Sequence, residues 1–221
     1  MPAHGQDRTM FRDRKDAGER LAALLVHLRD KNPIVLALPR GGVAIGSEIA
    51  RLLGAPLDLV LVRKLGAPWQ PELALGALAD CGGGEPEIFI DDRMVERLRV
   101  PADYVREETA REVAELERRR AVYSAGRSPP EIAGRTAIVV DDGIATGATM
   151  RVALRAVRRR APARLILATP VAAAETLAAL KGETDESVCV TAPQGLGAIG
   201  YYYDDFHQMS DDEVIALLAG A

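Results

Sequence analysis

Ala17, Leu21, Leu24, Leu25 and Leu28 recur between charged neighbours at the spacing of one helix face. They predict an amphipathic helix that the Asn32-Pro33 pair closes. The next run, Pro33 through Leu38, is continuously apolar, β-branched and too short for a helix, so it predicts a buried strand. It leads into Pro39-Arg40-Gly41-Gly42, after which Val43 to Gly54 carries a helical pattern that ends on glycine. Asp58 to Val62 predicts another strand. Strand, glycine-containing loop, helix and strand, in that order, predict a right-handed βαβ unit of a parallel sheet.

Between Arg63 and about Gly134 the rhythm changes. Turn residues crowd the stretch from Leu65 to Pro86, with short strands expected among them, and Glu87 to Asp91 predicts one more. From Pro101 to Gly126 the pattern is that of a single long helix. Acids gather at its front and Arg118, Arg119 and Arg120 at its rear, which complements the helix dipole. Its apolar stripe (Val105, Val113, Leu116, Tyr123) is thin, so it is expected to pack lightly, as a movable cover. The α/β rhythm then resumes with a strand at 136–140, a helix through Arg160, a strand at 164–171, a helix at 172–182 and a strand at 187–192. Ser210 and Glu213 form a capping-box pattern ahead of a short final helix. The expected fold is α/β: an open, mostly parallel sheet with helices on both faces and a helical insertion or lid. It occupies residues 1–221 as one domain, with the insertion at about 66–134 and a tail at about 193–221.

Composition narrows the function classes. Lys and Arg total 28 against 32 Asp and Glu, a net charge of -4, so no global basic field is available to hold nucleic acid. No apolar run approaches the roughly 20 residues that span a bilayer. The start lacks the apolar core of a signal peptide, and a cytoplasmic location is expected. Cys81 and Cys189 are the only cysteines and show no metal-ligand spacing, so free thiols are expected, the second buried in a strand. His4, His27 and His207 share no spacing that suggests a metal or a triad.

The chemistry concentrates in Ile138-VVDDGIATGATM-Met150. A buried strand delivers Asp141 and Asp142 at its carboxyl end, where open α/β sheets bind ligands. Gly143 and Gly147 let backbone N–H groups converge on an anion, and the following helix N-terminus adds positive potential. Thr146 and Thr149 supply hydroxyls. Carboxylates beside a phosphate cradle suit a molecule that is both hydroxylated and phosphorylated.

This string resembles the phosphoribosyl-pyrophosphate motif of the type I phosphoribosyltransferases. The resemblance assigns Asp141 and Asp142 to the ribose 2′- and 3′-hydroxyls, and Ala145, Thr146, Gly147, Ala148 and Thr149 to the 5′-phosphate loop. Gly143 departs from the pattern, which usually has an aliphatic residue there. Leu38-Pro39-Arg40-Gly41-Gly42 resembles the family's pyrophosphate loop, and the segment Val62 to Pro68 resembles the one in which an Arg-Lys pair, here Arg63 and Lys64, meets pyrophosphate. The resemblance implies transfer of 5-phosphoribosyl from phosphoribosyl pyrophosphate to a nitrogenous acceptor, with Mg²⁺ and release of pyrophosphate. Arg40, Lys64, Asp141 and Asp142 would carry the reaction, and no residue is assigned directly to the metal. Dimers are common in that family, so a homodimer is the assembly it suggests. A regulatory protein that binds phosphoribosyl pyrophosphate without turnover is the alternative, since regulators with this fold exist.

Two further features have bland and sharp readings. Tyr201, Tyr202, Tyr203 and Phe206 cluster in a chain with only 4% aromatics. They either stack on an acceptor base or seal the tail onto the sheet. Arg118 to Arg120 are either a solvated helix end or groups that meet the departing pyrophosphate.

Overall fold

The computed structural model describes residues 10–124 and 128–220. The first helix, α1 (Arg14–Leu24), starts where the Asp13 side chain accepts the Asp16 backbone N–H at 2.8 Å, and a short 3₁₀ turn (Val26–Leu28) follows it. Then come β1 (Pro33–Ala37), α2 (Gly41–Leu53) and β2 (Leu57–Leu59). After Val60 the chain forms β3 (Leu61–Ala67), β4 (Gln70–Asp80) and β5 (Glu87–Ile90). Two helices come next, α3 (Asp92–Leu98) and α4 (Ala102–Ser124). The pattern ends with β6 (Thr136–Val140), α5 (Ala148–Arg159), β7 (Arg164–Val171), α6 (Ala174–Leu180), β8 (Glu186–Thr191) and α7 (Asp211–Ala219). The expected end of the long helix at Gly126 and the residue His4 lie outside the described residues.

Five strands form one parallel sheet in the order β2-β1-β6-β7-β8. Because side chains alternate along a strand, each central strand feeds two cores. Val35, Ala37, Ile138, Val140, Ile166 and Ala168 join α1 and α2 on one face. Ile34, Leu36, Ala137, Val139, Leu165 and Leu167 meet Met150, Ala153, Leu154 and Val157 of α5 on the other. Helices therefore cover both faces, as the continuous apolar runs of these strands require.

The predicted strand from Asp58 to Val62 is in fact two. Leu57–Leu59 pairs with β1, and from Leu61 the chain enters a separate antiparallel sheet, order β3-β4-β5. The stretch expected to hold turns and short strands thus contains β4, an 11-residue strand. Arg63 and Lys64, expected after a strand, lie inside β3 and pair in register with Leu78 and Ala77.

The long helix is held more firmly than its thin apolar stripe suggested. Its inward face runs through Glu108, Glu112, Leu116 and Tyr123, all buried, whereas Val105 and Val113 are only half-buried. Polar contacts do the fastening. Arg120 donates to Asp80 Oδ2 at 2.8 Å, to Asp58 Oδ1 at 3.2 Å and to the carbonyls of Leu59 and Asp80 at 2.9 Å. Arg63 Nε donates to Glu112 Oε2 at 2.6 Å, and Tyr104 Oη to the Gly66 carbonyl at 3.2 Å. Arg120 is thus neither a solvated helix end nor a group free to swing. Of the two thiols, Cys81 is buried, and Cys189, expected to be buried in its strand, is half-buried.

Candidate active site

Chain direction across the parallel sheet reverses between β1 and β6. From β1 the crossover through α2 leads outward to β2, and from β6 the crossover through α5 leads the other way to β7. Loops leaving the carboxyl ends of two such strands diverge and open a crevice. Ala37 of β1 pairs with Val140 of β6, so Pro39-Arg40-Gly41-Gly42 and Asp141-Asp142-Gly143 leave the sheet side by side.

The two loops touch at Gly41. A Cβ there would lie 1.8 Å from Asp142 Oδ2 and 2.9 Å from Arg14 Nε, so only glycine lets the β1 loop pass so close to the carboxylate. The Pro39–Arg40 peptide is cis. Asp142 Oδ2 accepts Arg14 Nε at 2.8 Å. The same guanidinium donates through Nη1 to the His207 carbonyl at 2.8 Å and lies 4.0 Å over the Phe206 ring. Tyr203 Oη donates to the Asp142 carbonyl at 2.6 Å. Asp141 Oδ1 accepts the Asp142 backbone N–H at 2.9 Å. Burial, and after it the neighbouring charge of Asp142, push the Asp141 carboxyl well above the usual carboxylate range.

Beyond the acids the loop is braced from behind and open in front. The Ile144 N–H donates to the Val171 carbonyl at 2.9 Å, and Thr176 Oγ1 donates to the Ala145 carbonyl at 2.6 Å. Ala145, Thr146, Ala148 and Thr149 are exposed. Gly147 is the N-cap of α5 at φ 74°, a left-handed conformation that presents the first amides of the helix outward. An outward-facing helix N-terminus without a side-chain cap is a ready anion cradle.

The structure therefore gathers Arg40, Gly41, Gly42, Asp141, Asp142, Gly143 and the 145–149 loop at one crevice. Arg63 and Lys64 are not among them. Arg63 is tied to Glu112, and neither residue walls the cavities next to Pro39. A larger hollow of about 570 Å³ between α2 and α7 contains none of the expected site residues. Sequence reasoning missed Arg14, which stands 128 positions from its partner and carries no motif. Among the described residues no group of three or more His, Cys, Asp or Glu side chains gathers to hold a metal.

The tail aromatics divide. Tyr203 is buried, its ring 5.3 Å from Phe11 and 4.9 Å from Phe206, so these rings seal the tail against the segment that precedes α1. Tyr201 is 75% exposed. Ile199 covers Gly143: a Cβ at 143 would meet Ile199 Cγ2 at 2.4 Å, so the aliphatic group absent from the loop is supplied by the tail.

Residues 89–204 match the phosphoribosyl transferase domain family, and the chain belongs to that family. The Mycobacterium tuberculosis (strain H37Rv) protein named "Putative phosphoribosyl transferase Rv0571c" is 41% identical over 209 residues, covering 95% of this chain and 46% of its own length. The chain thus spans less than half of that curated relative. The crystal structure of TT1426 from Thermus thermophilus superposes with a TM-score of 0.80 at 42% identity, covering 95% of this chain and 98% of its own. A hypothetical protein from Neisseria gonorrhoeae, solved with bound ppGpp, shares the fold at a TM-score of 0.53, 13% identity and 99% coverage of each chain.

Proposed function

We propose that this chain transfers the 5-phosphoribosyl group of phosphoribosyl pyrophosphate to a nitrogenous acceptor and releases pyrophosphate. One observation carries this reading: two acids and an uncapped helix N-terminus follow β6 beside the Arg40 loop, where the strand order of the parallel sheet reverses. The 145–149 amides and the threonine hydroxyls hold the 5′-phosphate. Asp141 and Asp142 accept from the ribose hydroxyls. Arg40 and the Gly41 and Gly42 backbone face the pyrophosphate.

In the reaction the bond from C1′ to the pyrophosphate oxygen breaks, the bond from C1′ to the acceptor nitrogen forms, and the nitrogen loses its proton to solvent. Positive charge grows on the ribose as the leaving group departs. Asp141 and Asp142 face the ribose, where their carboxylates favour that growing charge over the ground state. Arg63 and Lys64 lie within β3, Arg63 paired with Glu112, and this scheme assigns them no role.

Mg²⁺ fits this site. It needs only one or two protein carboxylates and keeps water and substrate oxygens as its other ligands, so no dedicated protein cage is required. Asp141 and Asp142 would face it, and when bound it would neutralise charge on the pyrophosphate. Two free thiols support a reducing compartment, the cytoplasm. The test is a screen for pyrophosphate release with purine, pyrimidine and amine acceptors.

A second reading, binding without turnover, is favoured by the Arg14–Asp142 pair, which already occupies one of the two acids. Tight, Mg²⁺-dependent binding of phosphoribosyl pyrophosphate with no release for any acceptor would establish it.

A further inference from the structure

Next to the carboxyl end of β1 lies a cavity of about 230 Å³. Its walls are Pro39 and Arg40, Arg118, Arg119, Val122 and Tyr123 of α4, and Asp211 of α7. Three guanidinium groups border it against one carboxylate. Asp211 stands 3.8 Å from Arg40 and accepts from Tyr123 Oη at 2.7 Å. Glu115 accepts from Arg118 Nε and from Arg119 Nε at 2.8 Å, but it is not part of the wall. It therefore orients the two arginines without filling the space between them. Among the described contacts Arg119 gives only Nε to Glu115, which leaves its terminal amino groups for a further acceptor.

Arg119 also borders a neighbouring cavity of about 40 Å³, together with Leu38, Pro39, Val60 to Val62, Leu116 and Thr149. One guanidinium thus adjoins both the β1 loop and the start of α5. It is held there without any movement of α4, because Arg120 at the next position is fixed to Asp58 and Asp80 and Leu116 is fully buried. Donors fixed in advance lose little freedom when an anion arrives. An arginine fork also matches phosphate oxygens two at a time.

We propose that Arg118 and Arg119 of α4 complete, with Arg40, an anion subsite for a phosphate group of pyrophosphate, as the outer end of the substrate or as the free product. The subsite rests on the phosphoribosyl pyrophosphate reading above, and its ligand chemistry is a dianionic phosphate at the far side of Arg40 from the ribose. The two arginines position this group and do not touch C1′.

Calorimetric titration separates the cases. Pyrophosphate, inorganic phosphate, ribose 5-phosphate and phosphoribosyl pyrophosphate, each with Mg²⁺, are titrated into the wild-type chain and three variants. These are Arg118→Gln/Arg119→Gln, Arg118→Lys/Arg119→Lys and Gly147→Ala. The glutamine pair is expected to lose tenfold or more in affinity for pyrophosphate and phosphoribosyl pyrophosphate and less than twofold for ribose 5-phosphate. The lysine pair should recover part of the loss. Unchanged pyrophosphate affinity overturns the subsite, as does an equal loss for all four ligands. A loss confined to inorganic phosphate overturns its assignment to the leaving group. If Gly147→Ala weakens phosphoribosyl pyrophosphate binding while the arginine pair changes nothing, only the subsite fails. If the wild type does not bind phosphoribosyl pyrophosphate at all, the functional reading fails, and the pyrophosphate titration still decides the subsite.

Discussion

Arg14 and Asp142 form an ion pair of 2.8 Å with side chains only 10% and 13% exposed, and it ties the first helix to the loop that follows β6. Removing the guanidinium leaves a buried carboxylate beside Asp141 with no counter-charge. Arg14→Ala should destabilise the fold by about 3 kcal/mol, measured by chemical denaturation, and Arg14→Ala/Asp142→Asn should regain part of that loss. A single variant as stable as wild type would show that the pair contributes nothing.

Gly147 combines φ 74° with close packing, since a Cβ would lie 2.6 Å from Thr176 Cγ2. Gly147→Ala should cost roughly 1–2 kcal/mol in stability and weaken ribose 5-phosphate binding at least tenfold. Wild-type affinity in a folded variant would remove the phosphate from this loop.

Arg120 and Arg118, two positions apart on α4, should behave differently. Arg120→Ala removes the guanidinium that the buried carboxylates Asp58 and Asp80 share and is expected to lower stability by about 3 kcal/mol. Arg118→Ala should change the melting temperature little, because its pair with Glu115 is exposed. Thermal scans of both variants distinguish the buried pin from the exposed pair.

The tail offers a similar contrast. Tyr203→Ala removes a buried ring and should cost about 3 kcal/mol. Tyr203→Phe, which deletes only the bond to the Asp142 carbonyl, should cost about 1 kcal/mol. Tyr201→Ala should leave stability unchanged. If Tyr201 stacks on the acceptor, its loss raises the acceptor KM with phosphoribosyl pyrophosphate binding retained.

His207 lies between Glu213 and Asp205, with ring nitrogens 3.0 and 3.1 Å from their oxygens. Its pKa is raised, first by the bond to Glu213 and then by Asp205. A raised value in the folded state means that this contribution is complete below the ordinary histidine pKa of about 6.5 and is lost as pH rises through the folded value. Glu213 is pulled down to about 2, first by the Ser210 backbone and then by His207. Its contribution is present above the ordinary carboxylate range and lost as pH falls through about 2. An NMR titration of His207 should give a midpoint above about 6.5, and Glu213→Gln, which keeps an acceptor for the Ser210 cap, should lower it. No shift in that variant would remove Glu213 as the main cause.

The central strands of the parallel sheet were legible because they are buried on both faces. Pro33 through Leu38, Thr136–Val140 and Arg164–Val171 read as continuous apolar runs, and each became a strand. Local chemistry was equally legible. Gly54 caps α2 at φ 64°, and Ser210 and Glu213 form both bonds of the capping box. The hairpin of β3 and β4 was not, since Leu73 to Asp80 is punctuated by Ala and Gly rather than β-branched residues. The inward face of α4 was hidden because Glu108, Glu112 and Arg120 face the interior, where apolar periodicity is blind to them. At the site, the two glycine loops were readable from spacing. Arg14 was not, because only the folded chain brings it to Asp142. Arg63 and Lys64 were misplaced for the same reason that β3 was: the change of sheet at Val60 leaves no mark in the pattern.

That change of sheet also sets an order of assembly. The antiparallel sheet closes within residues 61–90, through a tight hairpin and one longer loop. Pairing of β1 with β6 must instead bring together segments about 100 residues apart in the chain, Ala37 with Val140 and Pro33 with Thr136. Chain-closure entropy makes the near contacts form first and the distant ones late. The crevice lies between β1 and β6, so its two glycine loops first meet when that distant pairing closes. A nascent chain released before residue 140 would lack the strand that brings the second glycine loop to the first, and so have no place for a phosphate.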